Sequence, residues 1–398
     1  MSIWGSIALG LGLAFALGWI GRWTAQKMSK GAPRFRDMAL VVAFGYVLAL
    51  ELLLGGIWLY FQAPVSDAGV PRASVMFWRW AVHFVVFCAV ASVIFRLIGR
   101  RIGSPATRKL FRQMPLTAAF GILTILIYAI LAIFAGLIAP HGQEEVFALA
   151  NIVPGGDPAL GGNPDFPLGT DQIGRDILSR LIYGAQNTVG IAIATTLLAF
   201  AIGGSLGFLA AIMRGWVDQL LSRIVDGLMA IPSLIFSLLL ISVASAWVSG
   251  TGLTIAMVVI IAVIDSTRVY RLSRAVGMNI VVMDYIEAAK IRGEGLPYLI
   301  FREILPNATA PLLAEFGLRF CFVFLTISSL SFLGLGIQPP LADWGTMVKD
   351  MAALINYASF APQVASAPLL AAGAIALLTV AVNFVVDWML HRSSGLKE

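Results

Sequence analysis

Asp284-Tyr285-Ile286-Glu287-Ala288-Ala289-Lys290-Ile291-Arg292-Gly293 is a polar island between two long apolar runs, residues 251–271 and 308–334. Asp284 followed three residues later by Glu287 has the form of a capping box, so a helix is expected to start at Asp284. Gly293 suits a left-handed cap at its end. Pro297 fits the first turn of a second short helix. Pro306 disfavours helical geometry at Leu305 and is expected to start the next apolar run. Residues 272–306 thus form two short helices with a glycine bend, lying at a membrane surface. Ala288 and Ala289 leave one face of the first helix nearly flat. Glu287, Lys290 and Arg292 offer charged contacts around it. A docking knob for another protein has this form, and so has an amphipathic connector resting on lipid headgroups.

Working outward, the whole chain of 398 residues is 59% hydrophobic and only 12% charged, with a mean hydropathy of +0.89. Soluble domains carry about 25% charged residues. So much apolar surface needs lipid as solvent, and spanning backbone must then be helical or closed into a barrel. A bilayer core of about 30 Å takes about 20 apolar residues. Nine runs qualify: residues 2–21, 38–61, 76–98, 115–139, 187–212, 224–248, 251–271, 308–334 and 364–390. The fold class is therefore all-α integral membrane protein. The first run has no positive residue before it, since the first is Arg22, and it is expected to be retained as a span.

Loop charge orients the spans. Residues 22–36 hold Arg22, Lys27, Lys30, Arg34 and Arg36. Residues 96–112 hold Arg96, Arg100, Arg101, Arg108, Lys109 and Arg112 without an acid. Both are expected in the cytoplasm. The acidic loop 140–186 falls on the opposite side, and its stretch 151–169 is turn-rich with Gly and Pro. This count puts the N-terminus outside, loop 272–306 and the tail 393–398 inside. The net charge of +6 is an orientation signal and implies no nucleic acid.

Several chemistries are excluded. No Gly-x-x-x-x-Gly-Lys-Ser/Thr phosphate loop, His-Glu-x-x-His or nucleophile elbow occurs, so no catalysis is expected. His83, His141 and His391 are scattered, and no metal site is expected. Cys88 and Cys321 lie in apolar runs and read as small hydrophobes. Charges inside spans are costly and few. They are Glu51, Asp265 with Arg268, and Glu315 with Arg319, the last two spaced for pairing on one helical face. Asp265, Glu315 and Arg319 either line a hydrophilic path or form ion pairs that lock helices together.

The island Glu287-Ala288-Ala289, with Gly293 and Pro306 behind it, resembles the EAA loop of ABC importer permeases. Pro167-Leu168-Gly169-Thr170-Asp171-Gln172-Ile173-Gly174-Arg175-Asp176-Ile177-Leu178-Ser179-Arg180 is similar to the outer segment of the peptide and nickel branch. Leu330-Ser331-Phe332-Leu333-Gly334-Leu335-Gly336-Ile337-Gln338-Pro339-Pro340, with Asp343-Trp344-Gly345, resembles its second-permease type, and Asp226-Gly227-Leu228-Met229-Ala230-Ile231-Pro232-Ser233 fits a fourth stretch. Ile327 stands where family members often carry an acid.

The resemblance covers residues 115–392 and implies a six-span permease core. Residues 1–114 are then an extra three-span extension. It implies a second permease, two cytoplasmic ATPase subunits that bind ATP and Mg²⁺, and an extracytoplasmic solute-binding protein as partners. The chain itself holds no cofactor. Asp284, Glu287, Ala288, Ala289, Lys290, Arg292, Gly293 and Pro306 would couple to the ATPases, driving alternating access in a bacterial inner membrane. Asp171, Arg175, Asp176 and Trp344 would gate the outer face or meet the binding protein. Asp171 is expected to cap the following turn and Arg175 to pair with Asp176. Peptides are the expected solute, with nickel complexes and opine- or sugar-linked solutes open. A gradient-driven secondary transporter and a transport-free scaffold are the readings from other classes.

Overall fold

The computed structural model describes residues 40–63, 73–156, 158, 161–359 and 361–393. The expected first span and the basic residues 22–36 lie outside these. Among the described residues six helices are long and apolar enough to cross a bilayer, and one bent pair makes a seventh if it acts as a single span. The helices are α1 (Leu40–Phe61), α2 (Ala73–Arg101), α3 (Pro105–Gln113), α4 (Leu116–Ile133), α5 (Ile177–Met213), α6 (Gly215–Met229), α7 (Ser233–Ser245), α8 (Thr251–Val281), α9 (Asp284–Ile291), α10 (Leu296–Phe332), α11 (Trp344–Met351) and α12 (Pro362–Ser393). All nine expected runs other than the first thus coincide with helices.

The chain divides into two units, Met1–Val86 and Phe87–Glu398. In the first, α1 is joined to the start of α2 by polar groups at its end. Arg79 donates to the carbonyls of Tyr60 (2.9 Å) and Gln62 (2.8 Å), and Trp78 Nε1 donates to that of Gly56 (2.7 Å). Carbonyls at a helix end lack partners within the helix, so a guanidinium there satisfies them. The side chains of residues 40–47 and of Glu51 lie outside the described set.

In the second unit α5 and α8 form the most extensive helix pair. Small residues explain it. A Cβ on Gly207 would lie 2.7 Å from the Tyr270 carbonyl oxygen, and one on Gly277 2.9 Å from the Ala211 side chain. Removing side chains from one face lets two backbones approach, the usual route to packing where lipid gives no hydrophobic drive between helices. The expected span 224–248 is broken: α6 and α7 meet at 87°. Pro232 lacks an N–H and disfavours helix at Ile231, which accounts for the bend.

The coupling segment differs from expectation at both ends. α8 continues to Val281, ten residues beyond its apolar run. The α-helical part of α10 does start at Leu305 with Pro306 in its first turn, where a proline lacks no needed N–H. It nonetheless continues a π-helical stretch Leu299–Ile304, and Leu305 itself is helical (φ −57°, ψ −45°), contrary to expectation. α9 does start at Asp284, but Met283 is the N-cap and no side chain caps it. Asp284 and Glu287 instead sit in the first turn, where acids favour the helix dipole.

Candidate coupling and translocation site

α9 is anchored by one face and bare on the other. Ile286 and Ala289 are fully buried among Phe208, Val281, Leu299 and Ile304. Asp284, Glu287, Ala288, Lys290, Arg292 and Gly293 are exposed, and Ile291 is 81% exposed. The pair of alanines is therefore divided. Ala288 alone belongs to the bare face, because successive helical residues point about 100° apart. Gly293 has φ +80°, the left-handed conformation a glycine adopts without strain. Its N–H donates to Lys290 O (2.9 Å) and that of Glu294 to Ala289 O (3.2 Å), closing the helix. Pro306 is exposed on α10. Arg292 lies within 4.0 Å of both Glu294 and Glu303, so its charge is partly met within the loop.

Further along the same two helices the buried charges converge. Glu315 and Arg319 pair at 2.6 Å on α10, and Asp265 Oδ1 on α8 lies 3.7 Å from Arg319 and 3.6 Å from Arg268. The two Asp265 contacts are ion-pair distances longer than hydrogen bonds. Asp265 Oδ2 is buried with no hydrogen-bond partner. Phe322 floors the cluster, with the Arg319 guanidinium 4.7 Å from its ring centre. Arg268 is 40% exposed. It stands three residues from the end of the apolar run 251–271, within snorkelling reach of the interface.

A second polar contact had no motif to announce it. Asp218, Ser222 and Asp226 line one face of α6 at four-residue spacing. Arg274 donates to Asp218 through Nε and through Nη2 (2.7 Å), Ser222 and Tyr270 share a hydrogen bond (3.0 Å), and Arg271 lies 3.7 Å from Asp226. The ladder ties α6 to the part of α8 that leads into α9. A cavity of about 280 Å³ lies between Asp226, Arg271 and Arg274. The spacing of Asp218, Ser222 and Asp226 was visible in the sequence, but their distant partners Arg274, Tyr270 and Arg271 were not.

The outer segment forms a sealed knot. Asp171 accepts from the N–H groups of Ile173 (3.1 Å) and Arg175 (2.9 Å), capping the turn as expected, and pairs with the Arg175 side chain at 2.6 Å. The expected pairing of Arg175 with Asp176 is corrected: Asp176 is the N-cap of α5, accepting from Leu178 N and Ser179 N, with His141 Nδ1 at 3.3 Å. Asp343 caps α11 through Thr346 N (2.8 Å) and accepts from Thr188 Oγ1 (2.9 Å). Complete burial pushes its carboxyl above the usual range, against the pull of those donors. Trp344 is 2% exposed. Its Nε1 donates to Leu181 O (3.0 Å) and its ring meets Tyr128 and Phe324 edge-on. Docking of an outer partner on this ring is thereby corrected, since no ring surface is free. Asp350 is the outermost member, 3.9 Å from Arg175.

Residues 203–394, from mid-α5 to the end of α12, match the family model of the binding-protein-dependent transport system inner membrane component. The dipeptide transport system permease protein of Haemophilus influenzae is 36% identical over 245 residues, 61% of this chain and 80% of that protein. The di/tripeptide transport system permease protein of Pseudomonas aeruginosa is 36% identical over 269 residues, 67% of this chain and 84% of its own length. The glutathione transport system permease protein of Pectobacterium atrosepticum is 33% identical over 280 residues, 70% and 86% respectively. The chain belongs to the binding-protein-dependent permease family. It is a multi-pass inner-membrane component of an ABC importer, and the family's role is non-catalytic.

Proposed function

We propose that this chain is one of two permease subunits of an ATP-driven importer of short peptides. The names of its relatives, which are dipeptide, di/tripeptide and glutathione permeases, support the solute class. The observation that carries the coupling role is α9, with Ile286 and Ala289 locked into the α8–α10 core and Glu287, Ala288 and Lys290 turned out without partners among the described residues. A motor gripping the bare face moves the core through the buried one. The loop lies in the cytoplasm, with the C-terminus, by the positive-inside count. Two ATPase subunits supply ATP and Mg²⁺ there, and a solute-binding protein delivers peptide from outside.

A push on α9 reaches the membrane by two routes. α10 is continuous from Leu296, so it carries motion to Glu315 and Arg319. α8 carries it through the Arg274–Asp218 ladder to α6 and the 87° break before α7. Asp265, Glu315 and Arg319 line the solute path. The two states of alternating access are two arrangements of these helices.

The test is cysteine cross-linking from Ala288→Cys in the complex assembled with its ATPases, together with labelled dipeptide uptake in inside-out and right-side-out vesicles. The expected result is an Ala288–ATPase cross-link whose yield changes with nucleotide, and uptake that needs ATP. Absence of any cross-link with the loop accessible only from outside sinks the reading. Uptake by this chain alone, abolished by an uncoupler, makes it a secondary transporter instead.

A further inference from the structure

We infer that the junction of α2, α3 and the end of α12 is a binding site for the phosphate headgroup of an anionic membrane lipid. Three helices meet there. Met114 and Ala118, fully buried, pack with Phe95 of α2, Leu110 and Phe111 of α3, and Trp388 of α12. This apolar packing joins three helix segments, each of which carries its own cations. α2 contributes Arg96, Arg100 and Arg101, α3 contributes Arg108, Lys109 and Arg112, and α12 contributes Arg392, whose guanidinium stacks 5.9 Å from the Trp388 ring.

Among the described residues these charges meet no carboxylate. Neither residues 96–114 nor α3 contain an acid. None of Arg96, Arg100, Arg101, Arg108, Lys109, Arg112 or Arg392 makes an ion pair with a carboxylate of the described residues. Their hydrogen bonds go to backbone carbonyls: Arg108 to Gly103 (3.0 Å), Arg96 to Phe111 and Arg112 (3.4 Å each). Arg100 Nε is buried and has no partner at all. Asp387, exposed on α12, is the acid nearest in sequence to this face and pairs with none of them. By contrast Arg175, Arg268, Arg271, Arg274 and Arg319 all face a carboxylate.

The occupant follows from position and charge. α2 ends at Arg101 and α4 begins at Leu116, so α3 lies where two spans leave the bilayer. It is amphipathic: Leu110 and Phe111 turn inward while Arg108, Lys109 and Arg112 are exposed. Such a helix lies in the headgroup layer, where clustered cations select anionic lipid. Each cation strengthens that selection, and the planar guanidinium suits phosphate through paired donors.

The test compares the full-length chain with a variant carrying Arg101→Gln, Arg108→Gln, Lys109→Gln and Arg112→Gln, and with one in which the three arginines become lysine. Each is purified in mild detergent, and bound phosphatidylglycerol, cardiolipin and phosphatidylethanolamine are counted by native mass spectrometry. The full chain and the lysine variant should retain anionic lipid in preference to phosphatidylethanolamine. The glutamine variant should lose that preference by about tenfold or more. Added inorganic phosphate should not displace the lipid. Equal anionic lipid on all three proteins, equal loss on both variants, or displacement by phosphate overturns the inference. So does unchanged lipid retention with loss of a co-purifying ATPase, which would make this face a protein contact.

Discussion

The outer knot around Asp343 and the inner helix α9 use similar residues to opposite ends. In the knot every charged group is met: Asp343 by Thr188 and Thr346, Asp176 by the α5 N-terminus, Asp171 by Arg175. Its aromatic ring is sealed. On α9 Glu287 and Lys290 find no partner among the described residues, and Ile291 is left open. A loop that completes its own bonding is architecture. A loop that keeps charges and an apolar tip bare, while burying the opposite face, leaves a surface open, the one on which the proposed ATPase contact rests. The difference could not come from composition, since both loops mix acids, bases and small residues.

Three substitutions sharpen that contrast. The largest effect belongs to the knot. Trp344→Ala leaves a cavity beside Tyr128 and Phe324 and should cost about 3–5 kcal/mol, read as a lowered unfolding temperature in detergent. Wild-type stability in this variant would mean the ring is not part of the core. Next comes the cluster between the two loops. Replacing Glu315 and Arg319 together by Gln removes that pair but leaves buried Asp265 with Arg268 alone, and should cost about 1–3 kcal/mol of stability. Dipeptide uptake should nonetheless fall sharply. Uptake unchanged at equal expression would reduce the cluster to a helix lock.

The smallest stability effect belongs to α9. Glu287→Gln with Lys290→Gln touches only exposed groups and should stay within about 0.5 kcal/mol. ATPase co-purification and ATP-driven uptake should drop. A protein that unfolds with these changes, or that binds its ATPases as before, breaks the contrast between a sealed and an open loop.

Much of the site was legible because membranes impose simple rules. A 20-residue apolar run has few fates, and an acid-free basic loop points one way. Gly293 was readable because a left-handed turn favours that residue. Pairings were less so. Arg175 stands beside Asp176 in sequence, yet its side chain meets Asp171 four residues back, because Asp176 is occupied by the N–H groups that open α5. Pro306 looked like a boundary, and the α-helical part of α10 does start beside it, but that part continues the π-helical stretch before it.

The sequence alone determined that this is a helical membrane protein, where most of its spans fall, and that an alanine-bearing helix interrupts them. It could do so because hydropathy, local charge and glycine or proline geometry act over a few residues. Only the tertiary structure decided that Ala289 is buried while Ala288 is bare, that Trp344 is core, and that Asp265 faces two arginines from different helices. Those outcomes depend on which helix faces meet, and that depends on side chains far apart in the chain packing at once.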